Sequence, residues 1–245
     1  MTTASPSPAP ALVFGGSRGM GAAIVRRLAA EGRPVAFTYA SSPDSAAALA
    51  ASIEETGGTV LTLQADSADA EAVRAATLAA VARFGKLGVL VVNAGVLIPG
   101  AIDQYAFDDF DRMLAVNVRG VFAAIRHAAP HLLDGGRIVT IGSNTAERIG
   151  APGSSVYAMT KAAVAQLVRG AALDFAPRGI TVNNVQPGPI ETDMTAGLMD
   201  YITPRLPLGR IGRPEEIADL VAWLAGPTAG YMTGASLTID GGWTA

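Results

Sequence analysis

Short apolar runs alternate with longer helix-patterned stretches along the whole chain, and this alternation constrains the fold more than any other feature. The runs fall at residues 11–14, 35–39, 60–63, 87–92, 137–141, 180–185 and 236–239, each bounded by turn residues. Runs of this kind read as strands buried on both faces. Helix patterns fill the intervals at 21–30, 44–55, 69–84, 107–132, 155–175 and 214–224. Pro214 followed by Glu215 and Glu216 is a helix start, with a fixed φ and acidic groups at the positive end of the dipole. Asp108, Asp109 and Asp111 serve the start of the helix at 107 in the same way. Strand, helix, strand in steady succession predicts an α/β fold: one doubly wound parallel sheet of about seven strands with helices on both faces. No composition break divides the chain. Residues 11–245 read as a single domain, preceded by a polar, flexible lead-in at 1–10. The least regular stretch, 188–212, contains Pro189, Pro204 and Pro207 and has the character of a substrate loop.

Composition removes several classes of function. Half of the residues are apolar, enough for a large core, and only 16% are charged, which argues against a disordered chain. The 18 basic and 21 acidic residues form no basic cluster, so nucleic acid is not an expected partner. The absence of cysteine removes disulfides and thiolate metal sites together and suits a reducing cytoplasm. No apolar run reaches the roughly 20 residues of a membrane helix, and the first residues lack the pattern of a secretory signal. His127 and His131 are four apart on a helix pattern, but Pro130 lies between them and no third ligand is near in sequence, so no metal is expected.

The first apolar run ends in Gly15-Gly16-Ser17-Arg18-Gly19-Met20-Gly21, which leads straight into a helix. Glycines let a backbone turn tightly and approach a pyrophosphate, which then meets the free N–H groups and positive end of the helix. A glycine cluster can also be an ordinary strand-to-helix turn. Its place on the first strand of an alternating pattern favours a dinucleotide. The second run ends in Tyr39-Ala40-Ser41-Ser42 and has no carboxylate to bind a ribose 2′-hydroxyl. Hydroxyl groups there, with Arg18 in the glycine loop, suit a 2′-phosphate and therefore NADPH/NADP+.

Tyr157 and Lys161 are four apart on a helix pattern and share a face. An ammonium beside a phenol favours the phenolate, so the expected effect is a lowered tyrosine pKa and a usable acid/base. Lys161 is one of only two lysines, the other being Lys86. Ser143 ends the fifth run, at the sheet edge where parallel sheets bind ligands. Taken alone, the Tyr–Lys spacing also describes a pair on a helix surface. Met194, Leu198, Met199 and Tyr201 either line a substrate pocket or pack beneath the irregular loop.

In order and spacing, Gly15, Gly19 and Gly21, Asp66, Asn93-Ala94-Gly95, Asn117, Ser143, Tyr157-Ala-Met-Thr-Lys161, Pro187-Gly188, Thr192 and the tail 233–242 resemble the short-chain dehydrogenase/reductase family over nearly the whole chain. The resemblance is to its 3-oxoacyl-carrier-protein reductase-like branch, with a Rossmann-type fold. It implies an NADPH-dependent carbonyl reductase acting on a small-molecule ketone, β-keto ester or thioester. Tyr157 would protonate the developing alkoxide and Ser143 would hold the carbonyl oxygen. Lys161 would bind the nicotinamide ribose and tune Tyr157, and Asn117 would hold a water connecting Lys161 to solvent. The cofactor would lie on Gly15, Ser17, Arg18, Gly19, Met20 and Gly21, on the 39–42 turn, and on Asp66, Ser67, Asn93, Ala94 and Gly95. It would continue onto Tyr157, Lys161, Pro187, Gly188, Ile190 and Thr192. The family also implies a homotetramer.

Three departures from the family pattern stand out. Phe14 replaces a common Thr, Val92 replaces a common Asn, and the 14-residue step from Ser143 to Tyr157 is one longer than in many members. The first two bear on the stiffness of the glycine loop and the third on the pocket. The stretches G-G-S-R-G, F-T-Y-A, D-S-A-D, V-V-N-A-G and Q-P-G-P-I also resemble a cyclic-di-GMP-binding biofilm-dispersal branch, which implies a second possibility, a nucleotide-binding regulator on a reductase fold.

Overall fold

Alternate residues of a strand point to opposite faces, so a run that is apolar at every position needs cover on both sides. The computed structural model, which describes residues 8–245, provides that cover. Strands β1 (Ala11–Phe14), β2 (Val35–Tyr39), β3 (Val60–Gln64), β4 (Leu87–Val92), β5 (Leu132–Ile141), β6 (Thr181–Pro187) and β7 (Ser236–Ile239) form one sheet in the order β3-β2-β1-β4-β5-β6-β7. Every neighbouring pair is parallel.

Two apolar layers follow from the pleat. Ala11, Val13, Val35 and Phe37 point toward α1 (Gly19–Ala30), α2 (Pro43–Glu54) and α8 (Pro214–Ala225). Leu12, Phe14, Ala36 and Leu90 point the other way, toward α3 (Ala70–Phe84), α5 (Gly120–Ala128) and α6 (Ser155–Phe175). The chain leaves β1 toward β3 and returns to β4 on the opposite side of β1. That reversal opens a crevice beyond the carboxyl ends of β1 and β4.

The helix expected at 107–132 is three pieces. α4 (Phe107–Leu114) runs into a π-helical turn, Ala115–Arg119, and then into α5. Pro130 has no N–H to continue the ladder, so α5 closes in a 3-10 turn, and Leu132 already belongs to β5. β5 then slips against β4: Leu87 faces Leu132, whereas Val89 faces Arg137. The 188–212 stretch carries α7 (Met199–Ile202), and Ile202, Leu206 and Ile211 form a small apolar cluster with Met199 and Trp243.

Residues 1–7 of the expected lead-in lie outside the described residues. The carbonyl of Ala9 accepts from Arg33 Nη1 at 3.2 Å, and that of Pro10 accepts from the Gly88 N–H at 2.8 Å. Among the described residues no helix is long and apolar enough to cross a membrane.

Candidate active site

The glycine loop occupies the crevice between β1 and β4, and its glycines are required by close approaches. Gly15 has φ +75°, and a Cβ there would lie 2.8 Å from Ala94 Cα. A Cβ on Gly21 would lie 2.0 Å from the Gly15 carbonyl oxygen, so only glycine lets α1 sit this close to the loop. Two side chains fix the turn from outside. Thr38 Oγ1 accepts from the Gly15 N–H at 2.9 Å, and Asn93 Nδ2 donates to the Gly15 carbonyl at 2.7 Å. Phe14 and Val92 are buried in the core, and the Phe14 carbonyl accepts from the N–H groups of Asn93 and Ala94. Asn93 thus anchors the loop. The first turn of α1 has no acidic residue and its N-cap, Arg18, makes no side-chain cap, which leaves the positive end of the helix open toward the crevice.

The crevice is a cavity of about 390 Å³. The glycine loop from Gly15 to Met20 (apart from Gly16) and the 39–42 turn line one end. Asp66, Ser67, Asn93, Ala94 and Gly95 line the middle, and Tyr157, Lys161 and Thr192 line the other end. Most of the expected cofactor residues are therefore brought together. Gly21 lies behind the loop. Pro187 and Gly188 lie at the end of β6, where the Gly188 N–H donates to the Ile239 carbonyl, and Ile190 is buried beside α8. Arg18 shares the cavity with Ser41 and Ser42, but its guanidinium donates to Asp193 at 3.1 Å, across 175 residues of sequence. Burial would raise the Asp66 carboxyl, but the Ala68 N–H and Arg112 outweigh it and hold the group below its usual value.

Tyr157 and Lys161 line the cavity, and Asn117 and Ser143 are buried next to residues that line it, Val116 and Gly142. Asn117 sits in the π-helical turn and is fully buried. Its Oδ1 accepts from the Val96 N–H at 2.9 Å; its Nδ2 donates to the Val96 carbonyl at 2.8 Å and to Thr160 Oγ1 at 3.1 Å. The inserted turn aims this amide at the backbone after Asn93-Ala94-Gly95, a common use of a π-bulge. Lys161 Nζ donates to the Ile141 carbonyl at 3.0 Å and lies 5.6 Å from the centre of the Tyr157 ring. A Cβ on Gly95 would come 3.3 Å from that Nζ and 3.5 Å from Asn117 Oδ1, so glycine there leaves the ammonium accessible from the cavity.

The electrostatics differ from the sequence expectation. Burial pushes the Tyr157 phenol up to about 12, and the hydrogen bond with Ser143 offsets only part of that. Burial also pulls the Lys161 ammonium down to about 8. Burial dominates at Tyr157, so the phenol is held protonated at neutral pH rather than poised to ionise.

The remaining candidates separate clearly. Met194 reaches the cavity and is exposed, whereas Met199 packs into the Ile202–Leu206–Ile211 cluster. Leu198 and Tyr201 are half exposed. His127 and His131 face a separate surface depression with Arg74 and Arg126. No group of three metal-ligating side chains occurs among the described residues. Sequence reasoning missed Thr38, Arg112, Thr145, Thr160 and Asp193. All but Thr145 owe their place here to partners distant in sequence, so no local pattern marks them.

Comparison with known proteins agrees with this geometry. A family model described as enoyl-(acyl carrier protein) reductase matches residues 15–244. A short-chain dehydrogenase/reductase from Serratia marcescens superposes with a TM-score of 0.95 at 55% identity, covering 98% of this chain and 99% of that one. A short-chain dehydrogenase from Burkholderia cenocepacia, solved in complex with NADP, gives a TM-score of 0.95 at 46% identity over 98% of this chain and 99% of that one. Among curated relatives, the cyclic-di-GMP-binding biofilm dispersal mediator protein of Escherichia coli is 46% identical over 94% of both chains. The 3-oxoacyl-[acyl-carrier-protein] reductase of Staphylococcus aureus is 40% identical over 95% of this chain and 96% of its own length. The sheet order, the glycine loop and these matches along almost the full length lead to one assignment: the chain belongs to the short-chain dehydrogenase/reductase family.

Proposed function

We propose that this protein is a cytoplasmic, NADPH-dependent reductase that converts a ketone, β-keto ester or β-keto thioester carbonyl to a secondary alcohol. The observation that carries the reading is Tyr157 and Lys161 lining the crevice opened by the glycine loop, with Asn117 and Ser143 buried in the elements that flank it. The residues fit the cofactor. An uncapped helix start free of acidic side chains suits a pyrophosphate, and a carboxylate-free 39–42 turn beside Arg18 suits a 2′-phosphate. Burkholderia and Serratia homologues of the same fold, one crystallised with NADP, support the choice.

When bound, NADPH supplies the hydride. The protein's part is to orient the carbonyl and deliver the proton. Ser143 donates a hydrogen bond to the carbonyl oxygen, and Tyr157 Oη gives its proton to that oxygen as negative charge develops. Lys161, held by the Ile141 carbonyl, stabilises the phenolate left behind. Asn117 fixes the 95–97 backbone, which borders both Lys161 and the substrate space. Tyr157→Phe tests the assignment: it should abolish turnover and leave NADPH binding intact, and a fully active variant would refute the role.

The proposed assembly is a homotetramer, supported by Phe122 on α5 and Met159 and Leu173 on α6, which are exposed apolar side chains on adjacent helices. Sedimentation velocity tests it; a monomer at micromolar concentration would exclude it.

A second reading rests on the 46% identical Escherichia coli relative, whose name specifies cyclic-di-GMP binding. On this reading the crevice serves a regulator that binds a cyclic dinucleotide. Calorimetry with cyclic-di-GMP decides it, and absence of heat at high micromolar concentration would exclude it.

A further inference from the structure

Ser143 stands at the end of β5 with a short 3-10 turn, Asn144–Ala146, immediately after it. Its Oγ is met twice by one residue. The Thr145 N–H donates to it at 3.2 Å, and Thr145 Oγ1 makes a hydrogen bond with it at 2.9 Å. A serine hydroxyl offers two acceptor lone pairs and one proton. Thr145 Oγ1 has no other hydrogen-bond partner among the described residues, so its proton goes to Ser143 Oγ. Both acceptor sites of Ser143 are then filled, and only its own proton is free. That proton has one competing acceptor, Asn144 Oδ1, at a long 3.5 Å. The Asn144 side chain is itself held away by Asp240 through Nδ2 at 3.3 Å. What remains is the Tyr157 phenol, which lies close enough for the Ser143 hydroxyl to draw its pKa down against the larger effect of burial.

We infer that Thr145 is a positioning residue that makes Ser143 an obligate hydrogen-bond donor, aimed at the oxygen that Tyr157 protonates. The inference rests on the carbonyl-reductase reading for its substrate, but not for its geometry. Without the Thr145 hydroxyl, Ser143 has a free lone pair, can accept from the Tyr157 phenol, and takes that phenol's proton out of line with the substrate. With the hydroxyl in place, the order of donation is Thr145 to Ser143, and Ser143 to the carbonyl oxygen or the Tyr157 oxygen. A donor toward the phenol oxygen stabilises the phenolate form, so Thr145 also helps Tyr157 release its proton. Chains of hydroxyls polarise one another in the same sense.

Two variants separate the hydroxyl from the fold. Thr145→Val keeps the shape and the backbone N–H but removes the side-chain donor; Thr145→Ser keeps the donor. The first readout is steady-state ketone reduction with NADPH. Thr145→Val should lower kcat by roughly tenfold with the KM for NADPH unchanged, in line with the loss of one oriented hydrogen bond, and Thr145→Ser should restore most of it. The second readout needs no turnover. Protein labelled with difluorotyrosine, whose phenol ionises well below that of tyrosine, is titrated by fluorine NMR, with the Tyr157 signal identified by its loss in Tyr157→Phe. Thr145→Val should move that titration to higher pH and Thr145→Ser should return it. Unchanged titration and unchanged kcat in Thr145→Val would overturn the inference, as would a Thr145→Ser protein that behaves like the valine variant. If the unsubstituted protein turns over no ketone but its Tyr157 titration moves as described, the reductase reading fails and the Thr145 geometry stands.

Discussion

Lys161 Nζ donates to the Ile141 carbonyl at 3.0 Å while lying 5.6 Å from the centre of the Tyr157 ring, so the β5 backbone rather than a carboxylate holds the ammonium. Its charge is correspondingly easy to lose. The ammonium, drawn down by burial to about 8, is protonated below that pH and neutral above it. Tyr157, pushed up to about 12, stays protonated throughout this range. The kcat/KM for carbonyl reduction should therefore be flat through neutral pH and fall as the pH rises through about 8. A pH–rate profile checks this; rising activity above that point would show that the Lys161 charge is not needed for reduction.

Arg18 and Asp193 join the glycine loop to the 188–212 stretch through an exposed pair at 3.1 Å. A 2′-phosphate would compete with Asp193 for the same guanidinium. Asp193→Ala should tighten NADPH binding roughly two- to fivefold, the scale of an exposed ion pair. Arg18→Ala should weaken NADPH by about tenfold or more and NADH far less, since a charged hydrogen bond to phosphate is lost in one case only. Fluorescence titration with both cofactors reads the difference, and equal losses would show that Arg18 does not recognise the phosphate.

Asn117 satisfies the Val96 N–H, the Val96 carbonyl and the Thr160 hydroxyl from a fully buried position. Asn117→Ala should destabilise the fold by roughly 1–3 kcal/mol, because the part-buried Val96 N–H and carbonyl lose their partner together. Denaturant unfolding measures it. A change below about 0.5 kcal/mol, the range of ordinary surface substitutions, would mean that the π-helical turn does not depend on this side chain.

Glu216 caps α8 through the Arg213 N–H at 2.8 Å and is gripped by both Arg210 nitrogens, which together hold its carboxyl down at about 2. The folded-state value lies below the ordinary 4.5, so the stabilisation is full above pH 4.5 and drains away as the pH falls toward 2. Thermal melts across this window should show a steeper acid loss for the parent protein than for Glu216→Gln. Parallel curves would remove Glu216 from the acid transition.

How much of this was legible in advance depends on the range of the contact concerned. β1, β2, β4 and β7 begin and end where the apolar runs do, because burial on both faces writes itself into consecutive residues. The glycine loop and the Tyr157–Lys161 pair are likewise local patterns. The break of the 107–132 helix was half visible: Pro130 marks its end, but nothing in Ala-Val-Asn-Val-Arg announces a π-helical turn, which forms because Asn117 reaches Val96, 21 residues away. The place of Arg18 in the glycine loop is local, yet its partner Asp193 comes from the far end of the chain and is met only when the sheet closes. The protonation of Tyr157 departs from the sequence expectation for a related reason. A four-residue spacing reports the nearby ammonium, while the burial that raises the phenol is a property of the finished fold.

The central claim is tested most directly by mixing purified protein with NADPH and a panel of ketones and β-keto esters and following the loss of reduced nicotinamide, with Tyr157→Phe in parallel. Turnover by the parent protein, abolished in Tyr157→Phe while NADPH binding is kept, is the predicted result. NADPH binding without turnover of any member of the panel would contradict the reductase account and favour a protein that uses this fold to bind rather than to react.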